Sequence, residues 1–217
     1  MDIIENAEVG TVHNPYCVGC NDYTLEKFLL TAVFAGKWAH TQQAKLNQFL
    51  EDLQRVYPNW TPLKALARQR PDEIRLGLLM VRMGQYTRRT QTLAQLSRAV
   101  YPSHGTPLDL HTCSPEALEK IHGLGMKTSR FFIMHSRKSP DYAVLDAHIL
   151  AYMRTYGVAD SIPKSTPTEP KEYARLEAAW LRHCQELNKH PGELGFTIWL
   201  AGNRGAKIKL AGEPSVD

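Results

Sequence analysis

The spacing of apolar residues is the feature that most restricts the fold of this chain. Between Leu25 and Leu200, apolar side chains recur three or four residues apart in one segment after another, whereas alternation of apolar and polar residues is scarce. The first spacing places apolar side chains on one face of a helix, and the second is typical of a half-buried strand. The chain is therefore predicted to be all-α.

Helix boundaries follow from the same spacing together with the positions of proline and glycine. We interpret Pro58, Pro62 and Pro71 as breaks between helices, and the prolines from 163 to 170 as a rigid connection. The predicted helical segments are 24–33, 41–56, 74–83, 87–100, 115–121, 128–136, 146–156, 172–187 and 194–200.

Length and composition indicate a globular protein with one core. The chain has 217 residues, of which 43% are hydrophobic and 22% charged, so it forms one domain or two small lobes that share a cleft. We expect residues 1–23 to be a loose arm and residues 24–217 to be the folded domain. The early apolar run 28–35 is too short to cross a bilayer. No membrane association is expected, and the protein is predicted to be cytoplasmic.

Positive charge is concentrated in two segments. Residues 77–104 contain four arginines and no acid, and residues 199–210 contain Arg204, Lys207 and Lys209 and again no acid. Segments of one sign attract a polyanion such as DNA, although ordinary solvated surfaces can have the same composition.

The cysteines give little support to a metal site. Cys17 and Cys20 form a CxxC pair, but zinc needs two further ligands, and only His13 is close in sequence. We expect these cysteines to be unligated thiols in a loop, and neither a metal nor another cofactor is predicted.

The most informative stretch is a short helix, a tight turn and a second helix, over about 115–136. The turn His-Gly-Leu-Gly contains Gly123 and Gly125, which permit positive φ and let the backbone approach a ligand closely. The second helix begins directly after the turn, and its free N–H groups and dipole favour an anion such as a DNA phosphate. A simpler interpretation, a glycine cap followed by a helix start, explains Gly123 alone.

Two ionisable residues lie at helix starts close to this turn. Lys127 is predicted in the first turn of the second helix, and Asp146 follows the apolar run 143–145 at an N-cap position. Taken singly, Lys127 could be a solvated lysine and Asp146 a plain cap. A reversal of the chain between the two starts would bring them towards each other and create a reactive pair.

These motifs resemble the helix-hairpin-helix DNA glycosylases, the family that includes endonuclease III and the 8-oxoguanine DNA glycosylases. The resemblance is carried by HGLGMKTS, followed by AVLDAHIL, and extends over roughly residues 24–209. VRMGQYTRRTQTLAQLSR before the hairpin also fits the family. ELGFTIWLAGNRGAKIK near the end of the chain is similar to the compact archaeal-type, or type 2, 8-oxoguanine glycosylase/lyases.

The resemblance implies a fold of two helical lobes, formed by the middle of the chain and by its N- and C-terminal helices, with the active site in the cleft between them. It implies that Lys127 is the Schiff-base nucleophile and that Asp146 assists it. Contacts to DNA are expected from His122, Gly123, Leu124, Gly125, Lys120, Thr128, Arg88 and Arg89. Candidates for the base pocket are Trp199, which stacks on the flipped base by resemblance, and Phe196, Trp38, Gln42 and Lys207.

The expected activity is that of a monomeric DNA glycosylase/AP lyase that acts on double-stranded DNA containing a damaged base, with 8-oxoguanine as the favoured base. The iron–sulfur cluster of the endonuclease III branch is not expected, because only Cys184 follows Asp146. Two alternatives stay open at this point. The enzyme could excise an oxidised pyrimidine or a modified base of foreign DNA, or the hairpin could belong to a DNA-binding protein without catalytic activity.

Overall fold

The computed structural model describes residues 21–34, 39–137 and 141–203, so most of the predicted N-terminal arm lies outside the described residues. Its helices are α1 Asp22–Phe34, α2 Ala39–Val56, α3 Pro62–Ala67, α4 Pro71–Met80, α5 Tyr86–Val100, α6 Pro115–Glu119, α7 Met126–Ser136, α8 Ala147–Thr155, α9 Pro170–Glu186 and α10 Pro191–Asn203. The described ranges contain no β-strand, and the prediction of an all-α chain is confirmed. None of the described helices is both long enough and apolar enough to cross a bilayer.

Proline begins helices in this chain more often than it breaks them. It is the first residue of α3, α4, α6, α9 and α10. Pro62, Pro71 and Pro170 do follow gaps between helices, as predicted, but each is the first residue of the next helix. The helix α3 was not predicted. The physical reason is that the first N–H of a helix has no partner within it, so a residue that lacks this group and has a helical φ is well suited to that position.

The chain divides into two compact units, residues 1–138 and 139–217. In the first unit, α1 packs against α2, α3 and α7, and α5 packs against α3 and α4. The ring of Phe28 on α1 lies 5.6 Å from that of Phe131 and 6.0 Å from that of Phe132, centroid to centroid. These contacts fix α7, the second helix of the hairpin, on the core of the unit.

A buried carboxylate joins three helices of the first unit. Glu26 on α1 is only 1% exposed, and it accepts hydrogen bonds from the N–H of Leu63 at 2.7 Å and the hydroxyl of Tyr101 at 2.6 Å. The first of these bonds caps α3, and the second holds the end of α5. Burial raises the pKa of Glu26, against the opposing effect of these hydrogen bonds.

The second unit anchors the segment that leads into α8. Trp180 of α9 is 1% exposed and meets the ring of Tyr152 edge-on, at 5.8 Å between centroids. The hydroxyl of Tyr173 donates to the carbonyl of Ala143 at 2.8 Å and accepts from the N–H of Leu145 at 3.3 Å. The backbone is thus fixed immediately before Asp146.

Candidate functional site

The hairpin is formed by α6, the turn 120–125 and α7. The hydroxyl of Ser114 accepts a hydrogen bond from the N–H of Ala117 and caps α6. Ile121 and Leu124 turn their side chains into the protein, where they are 8% and 4% exposed. Leu124 therefore anchors the turn by its side chain, and its N–H is already engaged with the carbonyl of Ile121 at 3.1 Å.

Gly123 is required by the fold. Its φ of +87° lies in the left-handed region, where a β-carbon is unfavourable. A β-carbon at this position would also collide with the hydroxyl of Thr92 on α5. The expectation of a positive φ is confirmed here. The close approach seen in the structure is to Thr92 of α5, and the predicted close approach to a ligand stays a prediction.

Gly125 has a different role. It has extended backbone, with φ −101° and ψ 174°, and serves as the N-cap of α7, so the expectation of a positive φ is wrong at this position. A β-carbon on Gly125 would meet no atom within 4 Å. Neither the local conformation nor the packing of this chain requires a glycine here, and its small size leaves open space beside the start of α7.

The first turn of α7 offers unpaired donors. The N–H of Ser129 donates to the carbonyl of Gly125 at 3.0 Å, whereas the N–H groups of residues 125–128 have no hydrogen-bond partner within the described residues. Free N–H groups at the positive end of a helix dipole form a site that favours an anion. The geometry of this turn therefore suits a phosphate.

Helix α5 supports the hairpin from below. The side-chain carbonyl of Gln95 accepts a hydrogen bond from the N–H of His122 at 2.8 Å, and Nη2 of Arg88 donates to the carbonyl of Gly123 at 3.4 Å. Sequence reasoning missed Gln95 and Thr92. The helical spacing of 88, 92 and 95 marks one face of α5, but nothing in the sequence alone assigns that face to the hairpin.

Three cationic or titratable side chains of the hairpin are exposed. They belong to Lys120, at the end of α6, to His122 in the turn, and to Lys127. Lys127 is the second residue of α7, so its prediction in the first helical turn is confirmed. Thr128, the next residue, is half-buried.

Arg88 and Arg89 have different environments. Arg88 is exposed, whereas Nη1 of Arg89 donates to the carbonyl of Met83 and, at 3.0 Å, to Oε1 of Gln42. The guanidinium of Arg89 also lies 4.9 Å from the centroid of the Phe34 ring. Burial, followed by the charge of Arg88, lowers the pKa of Arg89. Arg89 and Gln42 thus hold the turn before α5. Nη1 of Arg89 and Oε1 of Gln42 are already engaged in hydrogen bonds.

Asp146 is the N-cap of α8, as predicted. Its Oδ1 accepts hydrogen bonds from the N–H groups of His148 and Ile149, each at 2.9 Å. Oδ2 has no hydrogen-bond partner in the described part of the chain. The carboxylate is half-buried, so its orientation is fixed by one oxygen while the other can interact with a further group.

Aromatic residues on α10 form a pair in the second unit. Phe196 and Trp199 are both half-buried, and their rings stack at 6.1 Å between centroids and 18° between planes. Gly202, further along α10, lies so close to the ring of His148 that a β-carbon would collide with it. Helix α10 therefore packs on the start of α8, the segment that carries Asp146.

Several predictions are not tested by this geometry. Trp38 and Lys207 lie outside the described residues. Lys127 belongs to the first unit and Asp146 to the second, so the pairing of the two side chains stays a prediction.

Residues 86–189 match the model of the Ogg-HhH family, which is described as 8-oxoguanine DNA glycosylase. The matched segment contains the hairpin, Lys127 and Asp146. None of the curated proteins matches this chain.

Two solved structures resemble the fold. The first is the 8-oxoguanine DNA glycosylase of Methanocaldococcus jannaschii, with a TM-score of 0.56 and 17% identity over 86% of this chain and 81% of that one. The second is the 8-oxoguanine DNA glycosylase of Thermotoga maritima, with a TM-score of 0.49 and 17% identity over 86% of this chain and 91% of that one. At this identity, the likeness to the archaeal structure supports the helical fold alone.

Proposed function

We propose that this chain, which belongs to the 8-oxoguanine DNA glycosylase family of helix-hairpin-helix proteins, releases 8-oxoguanine from double-stranded DNA and then cleaves the strand as an AP lyase. The observation that carries the proposal is the family match over 86–189, a segment that includes the hairpin with its open amides and both Lys127 and Asp146. The archaeal-type sequence near the end of the chain supports the same base.

DNA binding would begin at the hairpin. A phosphate accepts hydrogen bonds from the free N–H groups at the start of α7, and the absence of a side chain at Gly125 lets it come close. Exposed Arg88 and Lys120 add positive charge beside this position. Contacts of this kind orient the duplex without reading its sequence.

The chemical step needs a base that has left the helical stack. Neutral Lys127 attacks C1′ with the lone pair of Nζ, the bond from C1′ to the base breaks, and the base departs with that electron pair and takes up a proton. The sugar acquires oxocarbenium character on the way, and the carboxylate of Asp146 stabilises that charge and accepts the proton that Nζ loses. The proposed roles therefore require a neutral amine on Lys127 and a charged carboxylate on Asp146.

The covalent product permits strand cleavage. Once the sugar ring opens, Lys127 is joined to C1′ as a protonated Schiff base, and this cation acidifies the hydrogens on C2′. Loss of one of these protons and departure of the 3′ phosphate complete a β-elimination. Water then hydrolyses the Schiff base and frees Lys127 for another turnover.

Base recognition is assigned to the end of the chain. Trp199 would stack on the flipped base, with Phe196 supporting its ring from behind. 8-Oxoguanine differs from guanine by a hydrogen on N7 and an oxygen on C8, so discrimination requires an acceptor for the N7 hydrogen or a donor near O8. A polar group left unpaired by guanine would provide a large rejection factor.

The test is a cleavage assay on matched duplexes that carry 8-oxoguanine, an oxidised pyrimidine, a pre-formed abasic site or no lesion. We expect excision of 8-oxoguanine followed by strand cleavage, and cleavage at the abasic site. Excision of the oxidised pyrimidine alone would reassign the substrate. Binding without cleavage of any duplex would identify a DNA-binding protein instead of an enzyme.

A further inference from the structure

Apart from Arg88, the solvent face of α5 is not used by the mechanism above. Its exposed positions include Arg88, Gln91, Gln95 and Arg98, which are spaced by three or four residues and so lie on one side of the helix. At a rise of about 1.5 Å per residue, this line of side chains is roughly 15 Å long. We refer to these four residues as the α5 stripe.

The α5 stripe has the charge of a surface that binds a polyanion. No acid occurs between residues 77 and 104, and Arg98 has no ion pair or hydrogen bond with any other described residue. On the hairpin, Glu119 pairs with the buried Arg130, and Glu116, 3.9 Å from the same guanidinium, is left as one largely exposed negative charge. The two exposed arginines of the α5 stripe have no acid on their own helix.

The α5 stripe is continuous with the hairpin. Its first residue, Arg88, donates to the carbonyl of Gly123 at 3.4 Å, and Gln95 accepts from the N–H of His122 at 2.8 Å. The hairpin therefore lies against the part of the line from Arg88 to Gln95, and Arg98 continues the positive charge beyond it by about one helical turn.

We propose that the α5 stripe is a second contact surface for the DNA backbone, on which Arg98 neutralises a phosphate and Gln91 donates to a phosphate or sugar oxygen. This inference rests on the proposed function and extends its DNA footprint beyond the hairpin. Duplex DNA carries one charge per about 3.4 Å of each strand, so a line of roughly 15 Å accommodates several phosphates. The contacts would be independent of the base.

The experiment compares Arg98→Gln with Arg175→Gln, a matched control in which one charge is removed from an exposed arginine of α9 that pairs with Glu172. Affinity for an undamaged duplex is measured over a series of salt concentrations. Arg98→Gln should reduce the slope of log K against log salt by about 0.9, the value for one lost phosphate contact. The slope measured for Arg175→Gln should equal that of the unchanged protein.

Two further variants separate charge from structure. Arg98→Lys should restore most of the slope, because it keeps the charge. Gln91→Glu adds a negative charge to the α5 stripe and should weaken binding to damaged and undamaged duplexes by the same factor, while the melting temperature stays unchanged. The rate of base release at saturating enzyme should be the same in all of these variants.

The outcomes distinguish this inference from the proposed function. If the unchanged protein excises 8-oxoguanine but Arg98→Gln and Arg175→Gln give the same salt slope, the α5 stripe does not bind DNA and the glycosylase assignment stands. If the unchanged protein neither binds nor cleaves DNA, both proposals fall.

Discussion

The starts of α7 and α8 differ in where their backbone donors are directed. At α8, Oδ1 of Asp146 accepts two N–H groups of the first turn. At α7 the cap is Gly125, which has no side chain, and the N–H groups of residues 125–128 stay unpaired within the described residues. One start is closed by the chain itself and the other is open to an anion from outside.

This difference assigns separate tasks to two residues that look similar in the sequence. Lys127 and Asp146 both belong to a helix start, but only Asp146 contributes to the stability of its helix. Glu26 closes the start of α3 in the same way, through the N–H of Leu63. A carboxylate cap thus recurs in this fold at α3 and α8, whereas the start of α7 has no side-chain cap.

The largest expected effect separates the charge of Asp146 from its capping. Asp146→Asn keeps an oxygen that can cap α8, so its stability should change little, whereas the rate of base release should fall on the order of 100-fold or more. Asp146→Ala removes both and should also lower the free energy of unfolding by about 1 kcal/mol. Single-turnover kinetics and thermal melting measure the two effects. Unchanged turnover in Asp146→Asn would show that this residue only caps α8 and has no role in base release.

The glycines of the hairpin should respond differently to the same substitution. Gly123→Val places a branched residue at positive φ and against Thr92, and should cost about 1–3 kcal/mol of stability. Gly125→Val meets open space in the free protein, so its melting temperature should stay close to that of the parent. It should weaken binding to damaged and undamaged duplexes alike, by roughly tenfold for about 1.4 kcal/mol of lost phosphate contact. Full DNA affinity in Gly125→Val would show that the open start of α7 is not a phosphate site.

A smaller effect is expected at the support of the hairpin. Gln95→Ala removes the acceptor for the N–H of His122 and should lower stability by about 1 kcal/mol. Gln95→Glu keeps an acceptor but adds a negative charge, so it should retain the stability and lose DNA affinity, most strongly at low salt. Equal behaviour of the two variants in both measurements would contradict the role of Gln95 as a hydrogen-bond support.

The smallest effect concerns the closed start of α3 and its dependence on pH. Burial raises the pKa of Glu26 above its usual value of 4.5, so the folded protein holds this proton at a pH where the unfolded chain has released it. Stability contributed by the neutral form is therefore present at low pH and is lost as pH rises from about 4.5 through the folded pKa. In Glu26→Gln this part of the slope should disappear from denaturation curves recorded across pH 4–7. If the slope of the free energy of unfolding against pH is the same in Glu26→Gln, the pH dependence arises from other groups.

Much of the fold follows from the sequence because helical spacing depends on local chemistry. The hairpin, the position of Lys127 in the first turn of α7 and the capping by Asp146 could all be predicted from residues close together in the chain. The missed helix α3 shows the limit of that reasoning, because Pro62 was treated as a break when its missing N–H suits a helix start.

The supporting contacts could not be predicted, because they join residues far apart in sequence. Gln95 and His122 meet only because α5 packs beneath the hairpin. Arg89 was grouped with Arg88 as a DNA contact from composition, but its guanidinium is engaged with Met83 and Gln42. Adjacent residues on a helix point in different directions, and the sequence alone does not show which of the two side chains faces solvent and which contacts the rest of the protein.

The central claim, that Lys127 forms a covalent bond with DNA, is tested by trapping with borohydride. The protein is incubated with a duplex containing 8-oxoguanine, the Schiff base is reduced, and the cross-linked peptide is located by mass spectrometry. We predict a single adduct on Nζ of Lys127, and no adduct in Lys127→Gln although this variant still binds the duplex. An adduct on another residue, or undiminished trapping by Lys127→Gln, would contradict the account.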